Sequence, residues 1–447
     1  MACTSLVRCV PPDAHRPDLR VLTRMGDRSA ILRPPRLRTP RRGAHVTETG
    51  ARGLNGRIRS AAIVLLVIVA IGGGAGVGAL VGSLSSAPDT GSGIRATPGP
   101  SGAASGDPMA TPSPEATPSP TLEPTPEPTP VLVPAPLTGL PVSPEAATRQ
   151  PIAVMIDDLR AARPQSGFNA AAVVWQAPAE GGIPRYMLIF QDSIPASVGP
   201  VRSARQYYID WAAEWNAVFV HVGGSPGAMA TLRESGRGQL VWNADEFRFG
   251  GTYLWRDRDR PSPHNVYSDG ARLRALAAAV GAADGPIEPA WSFGPAIRGE
   301  FRPVGTTLTV DYPYETITFR FDPASNTYRR YIDGASEPQV DAADGRVVAP
   351  ANVVILRMRF GALNDGSGKN RLEAADVGSG EAIVSTNGRI IRGTWSKDSI
   401  SSPTQLFAAD GTPITLTAGQ TFVQVIALSY AYEVIEGAVP GAEIRVR

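Results

Sequence analysis

Cysteine is nearly absent from this chain. It occurs only as Cys3 and Cys9, so everything beyond residue 9 is without a disulfide framework or a thiolate metal site. Histidine is almost as scarce, with four in all, of which only His221 and His264 follow residue 45. Lysine appears only as Lys369 and Lys397, which leaves positive charge to arginine in a sequence rich in Ala, Gly and Pro. That bias is a property of composition, so each arginine needs a local argument. The formal net charge is only +2, yet the first 59 residues hold thirteen arginines against Asp13, Asp18, Asp27 and Glu48, about nine positive charges in excess. The remainder is therefore acidic by about seven charges, and a nucleic-acid-binding globular domain is excluded.

What is present is first a long apolar run. From Ser60 to Ser86, "SAAIVLLVIVAIGGGAGVGALVGSLSS" carries no charge and is long enough to cross a hydrocarbon core of ~30 Å as one transmembrane helix. Arg52, Arg57 and Arg59 precede it, so the positive-inside rule leaves residues 1–59, a basic segment without apolar periodicity, in the cytoplasm and the bulk of the chain outside. The run exceeds a usual signal-peptide core, and Pro88 spoils cleavage after Ala87. Residues 87–135, with "TPSPEATPSPTLEPTPEPTP", repeat Pro, Thr and Ser and read as an extended, semi-rigid stalk.

The outer region divides into residues 136–285 and 286–447. In the first, "PIAVMID", "AAVVWQA", "RYMLIFQ" and "AVFVHV" are short apolar runs bounded by turn residues, the pattern of buried strands. Tyr207, Trp211 and Trp215 recur every four residues on one helix face and predict core packing. A second helix follows Ser225 as N-cap, with Pro226 in its first turn, and a third starts near Asp269. Beyond residue 285 the runs become β-branched and aromatic, and Asn387-Gly388 and Asp410-Gly411 predict two type I′ hairpins. The expected fold is α+β: a layered sheet-and-helix first part, then a mainly antiparallel β part, preceded by the transmembrane helix.

Polar residues of the first part gather in tight loops: "ARPQSG", "EGGIPR", "GPVRSAR", "HVGGSPG" and "WRDRDRPSPHNVY". If these converge, Arg163, Arg185, Arg202, Arg205 and Arg256 form an anion site, joined by Glu180, Asp257 and Asn265. Arg202 and Arg205 share one face only if helix already begins at Val201. "GGSPG" fits the nucleophile-elbow pattern, but Pro226 lacks the N–H that its oxyanion hole needs, so Ser225 reads as a helix cap beside an anion seat. His264 and His221 are the candidate acid/base residues. Nothing in the spacing of the histidines and Asp157, Asp158 or Asp257 fixes a metal set, and neither metal nor cofactor is expected.

The series "ARPQSG", "EGGIPRYM", "VGPVRSARQYY", "FVHVGGSP" and "WRDRDRPSPHNVY", followed by "ANVVIL", "VGSGEAIVSTNGRIIRGTWSK" and "ADGTPITLTAGQTFVQV", resembles the YerB-like family of bacterial envelope lipoproteins over Leu137 to Ile426. The resemblance implies an α+β core with a β-rich C-terminal part, and a domain of unknown function, so it transfers no catalytic residue. Members are commonly lipid-anchored, whereas here no cysteine follows the apolar run. The "EPQVD" stretch also has Gln339 where the family pattern leads one to expect histidine.

These readings place a single-pass protein in a bacterial cytoplasmic membrane, its outer domain binding an anionic or glycan envelope component through the arginine loops. The alternatives are an envelope hydrolase or transferase using His264 or His221, and a protein-interaction module of an envelope complex. Sequence names neither the ligand nor a reaction.

Overall fold

A computed structural model describes residues 131–441. The basic segment 1–59, the apolar run 60–86 and the stalk up to residue 130 lie outside the described residues, so the expected transmembrane helix falls there. Among the described residues no helix is long and apolar enough to cross a membrane.

The first part supplies strands β1 (Ile152–Asp157), β2 (Val173–Pro178), β3 (Pro184–Phe190), β4 (Val218–His221) and β5 (Trp242–Asp245). Its main helices are α1 (Gln206–Ala213), α2 (Pro226–Thr231) and α3 (Gly270–Ala279). The second part begins with β6 (Thr307–Asp311), β7 (Thr316–Asp322), β8 (Thr327–Ile332) and β9 (Asn352–Met358). It continues with β10 (Phe360–Leu363), β11 (Arg371–Ala374), β12 (Gly378–Thr386) and β13 (Arg389–Lys397). It ends with β14 (Gln405–Ala408), β15 (Thr421–Ala427) and β16 (Tyr432–Ile435). The described chain is thus mainly β with few, short helices, more strand-rich than the α+β expectation.

Both parts enter one ten-stranded sheet of order β14-β13-β12-β9-β15-β2-β3-β1-β4-β5. The residue 285/286 boundary divides the sequence, but β15 of the second part pairs in parallel with β2 of the first, Thr421 opposite Val173. Most pairings beyond residue 286 are antiparallel; β15 departs from that, running parallel to β9 as well. After the β12-β13-β14 meander has moved to the sheet's edge, the chain crosses back to the middle, which reverses the relation of strand directions.

The central strands read as continuous apolar runs because both faces are covered. On one face Trp175 of β2 stacks on Trp211 of α1 with centroids 4.7 Å apart, and Tyr207, Tyr208 and Trp215 join the same core, as the four-residue spacing predicts. On the other face Val154, Leu188 and Val220 pack with Leu273 and Leu276 of α3 and with Leu308 and Phe319 of a second sheet, β8-β7-β6-β16. Ser225 caps α2 by accepting from Ala228 N at 3.2 Å, and Asp269 caps α3 by accepting from Arg272 N at 2.8 Å.

Asn387 (φ 51°) and Gly388 (φ 73°) make the two-residue, left-handed turn expected between β12 and β13. At Asp410-Gly411 only Gly411 is left-handed, at φ 82°, so the turn is longer than type I′. A single bridge, Phe407 to Pro413, follows it before the chain leaves β14 for Ser292–Gly294.

Candidate functional site

Strand ends at one edge of the central sheet bring the site together. Asp157 closes β1 and lies opposite Arg185 at the start of β3, while β2 runs out into the Glu180–Gly182 turn. The Gly199–Arg205 segment lies against them in extended form: Val201 bridges Ile156, and Arg202 N donates to Met155 O at 2.8 Å. Helical geometry begins only at Gln206, so Arg202 and Arg205 are not neighbours on a helix face. They are aimed separately, into one cleft.

That cleft has a volume of about 470 Å³, within the range of small-molecule sites. Its cations are Arg185, Arg202, Arg205, Lys369 and Arg371, against the carboxylates Asp157 and Glu180, an excess of three formal positive charges. A larger hollow of about 650 Å³ is lined by residues such as Pro134, Trp291, Phe293 and Leu406, has no charged side chain and collects none of the predicted site residues.

The cations have different duties. Glu180 receives Arg205 and, at 3.1 Å, Arg185, and Arg371 Nε stands 3.6 Å away. Arg185 also donates to Ser203 O at 2.5 Å, and Arg205 to Ala204 O, so these two guanidiniums are largely spent on holding the loops. Arg202 is different. Its Nε makes an ion pair with Asp157 Oδ2 at 2.9 Å, and its terminal amino groups have no hydrogen-bond partner among the described residues. Lys369 Nζ likewise has no protein partner among them.

Burial lowers the basicity of Arg185, Arg202 and Arg205, the last to about 10, with Asp157 opposing the effect in each. All stay charged at neutral pH.

Lys369 and Arg371 gave no signal in the sequence. They sit at the end of the β10-β11 hairpin, whose Gly-rich loop reaches the Glu180 turn through Gly181 N to Asn370 O at 3.1 Å. The second part of the chain thereby furnishes two of the five cations.

His264 Nδ1 donates to Asp157 Oδ2 at 2.7 Å, while its Nε2 has no hydrogen-bond partner among the described residues. His221 is fully buried with both ring nitrogens taken: Nδ1 donates to Gly223 O at 2.7 Å and Nε2 meets the Asn243 side-chain amide at 2.8 Å. Ser225, also buried, spends its hydroxyl on the α2 cap. Arg256, Asp257 and Asn265 do not line the cleft, and His264 adjoins it only through Asp157. Arg256 pairs with Glu246 at 3.0 Å and donates to Asn265 Oδ1 at 3.3 Å, and Asn265 in turn donates to Asp257 O.

Arg163 belongs to a buried polar network instead. It pairs with Asp158 at 3.3 Å and with Glu315, and Gln176 donates to both carboxylates, at 2.7 and 2.9 Å. Arg330 holds Gln176 and Tyr186 from the other side and donates to Gln339, which here supplies an amide oxygen in place of the expected imidazole. Burial, above all, pushes the Asp158 carboxyl up to about 6.

Residues 137–283 match the family described as "Protein of unknown function (DUF3048) N-terminal domain", and residues 308–423 match its C-terminal domain. "Putative lipoprotein YerB" of Bacillus subtilis (strain 168) is 29% identical over 300 residues, 65% of this chain and 86% of that protein. The crystal structure of YerB protein from Bacillus subtilis matches with a TM-score of 0.59 at 27% identity, covering 67% of this chain and 99% of that one.

Proposed function

Because the chain belongs to the YerB-like family, built of the two DUF3048 parts, we propose that it is an envelope protein that binds an anionic cell-wall component in the Arg202–Lys369 cleft. The apolar run at 60–86 anchors it in the cytoplasmic membrane, with the two-part region outside. The relative's name as a lipoprotein supports a membrane-attached, extracytoplasmic placement. One observation carries the binding reading: three positive charges in excess line a cleft in which Arg202 and Lys369 keep donors without partners among the described residues. A planar guanidinium beside a mobile ammonium suits a phosphate or carboxylate group.

The test is titration calorimetry of the full chain in detergent micelles against phosphate-bearing wall fragments. Charge-assisted hydrogen bonds are each worth about 1.5–3 kcal/mol, so Arg202→Ala weakens saturable binding about 10- to 100-fold, while Arg256→Ala, outside the cleft, leaves it intact. Binding that is absent, or equal in the Arg202→Ala protein, refutes the reading.

A further inference from the structure

Asp157 holds two groups at one oxygen. Its Oδ2 accepts from His264 Nδ1 at 2.7 Å and lies 2.9 Å from Arg202 Nε, so the imidazole and the guanidinium meet across one carboxylate oxygen. The other oxygen accepts from Leu159 N at 3.2 Å, which fixes the carboxylate in the cleft wall. The His264 backbone is tied in turn by its N–H to Pro261 O at 2.9 Å.

A histidine that donates Nδ1–H to a carboxylate presents Nε2 as a proton acceptor in a set orientation. Here Nε2 has no hydrogen-bond partner among the described residues, and the His264 side chain keeps 11% of its surface exposed. Of the two histidines among the described residues, only His264 has a ring nitrogen to spare.

We infer that the Asp157–His264 pair makes the cationic cleft a hydrolytic site for phosphodiesters, with His264 as general base and Asp157 as its positioning residue. The inference rests on the anion-binding reading and adds a reaction to it. Acyl transfer asks for N–H donors aimed at a carbonyl oxygen and a nucleophilic side chain. The described residues contain no cysteine, and the Ser225 hydroxyl is committed to a helix cap. Phosphoryl transfer asks chiefly for positioning and for cations around the equatorial oxygens, which Arg202 and Lys369 offer.

In the reaction, a water oxygen attacks phosphorus and gives its proton to His264 Nε2. The bond from phosphorus to the far ester oxygen breaks; that oxygen takes a proton from solvent water, and the imidazolium releases its own proton to solvent. Water is consumed, and a phosphomonoester and an alcohol are formed.

The experiment uses the full chain in detergent micelles with bis(p-nitrophenyl) phosphate as substrate and inorganic phosphate as a binding probe. The expected result is turnover of the diester. His264→Gln lowers kcat about 10²- to 10⁴-fold with KM little changed, and Asp157→Asn, which keeps the side-chain shape, lowers kcat and alters the pH profile. Arg202→Ala acts instead mainly through KM. A wild-type chain that binds phosphate but does not turn over the diester overturns this inference and leaves the binding reading standing. A chain that neither binds nor turns over overturns both. Turnover that survives His264→Gln also overturns it.

Discussion

Replacing Lys397 with methionine tests whether the two parts of the chain are one folding unit. Lys397 ends β13 in the second part, and Glu214 lies at the C-terminal end of α1 in the first; their side chains are both 0% exposed and meet at 2.9 Å. Lys397 also donates to Ser402 O at 2.6 Å, and Thr404 donates to the Glu214 carboxylate through its hydroxyl at 2.6 Å and its N–H at 3.1 Å. Burial pushes the Glu214 carboxyl above its usual range, and the Lys397 ammonium opposes that shift. Removing the ammonium leaves a buried charge with two hydrogen bonds and no counter-ion, a loss of about 3–5 kcal/mol. The double variant Glu214→Gln/Lys397→Met removes both charges while keeping an acceptor for Thr404, and so costs less than Lys397→Met alone. Since the folded pKa of Glu214 is raised, its contribution favours the folded state most below its unfolded value and is lost as pH rises. The Lys397→Met deficit is therefore largest at neutral pH and shrinks on acidification. Urea unfolding of the full chain in micelles, followed by tryptophan fluorescence, reads all three effects. A single-variant loss below about 1 kcal/mol, or separate transitions for the two parts, refutes the reasoning.

Two further substitutions probe other joints. Asp376 is buried, and its carboxyl is pushed up to about 7, first by burial and then by the Asp210 carboxylate; its Oδ2 has no hydrogen-bond partner among the described residues. The raised folded pKa means that its stabilising contribution is complete below about 3.8 and lost as pH rises through about 7. Asp376→Asn accordingly gains on the order of 2 kcal/mol over wild type at about pH 8 and loses that advantage near pH 4, measured as melting temperature across the range. Gly388 sits at φ +73°, and a Cβ there would lie 2.4 Å from Phe321 Cε1. Gly388→Ala therefore costs about 2 kcal/mol in urea unfolding, from the strained turn and the displaced ring together.

Much of the fold was legible because it rests on local signals. The buried strands β1 to β4 announce themselves as apolar runs between turns, Ser225 as a cap, Asp269 as the start of a helix, and Asn387-Gly388 as a turn that only left-handed residues make. The position of β15 was not legible: parallel pairing between Thr421 and Val173 spans almost the whole described chain and leaves no local pattern. The candidate site was read in part. Loop composition drew attention to Arg185, Arg202, Arg205 and Glu180, which the fold brings into one cleft, but it could not separate the arginines that brace loops from the one with donors that have no partner among the described residues. That difference depends on which carbonyls and carboxylates the fold brings near. Lys369 and Arg371 were missed because "NDGSGKN" looks like any polar turn until the hairpin's landing point is known.

That landing point joins function to architecture. The first part alone can present Arg202 and the Asp157–His264 pair, but β2 then loses its neighbour β15 and becomes an exposed edge, and the cleft loses both cations of the β10-β11 hairpin. What remains is three arginines, two of them braced on Glu180, facing two carboxylates. The charge excess falls from three to one, and the free ammonium is gone. A cleft with this excess of positive charge therefore requires both parts of the chain.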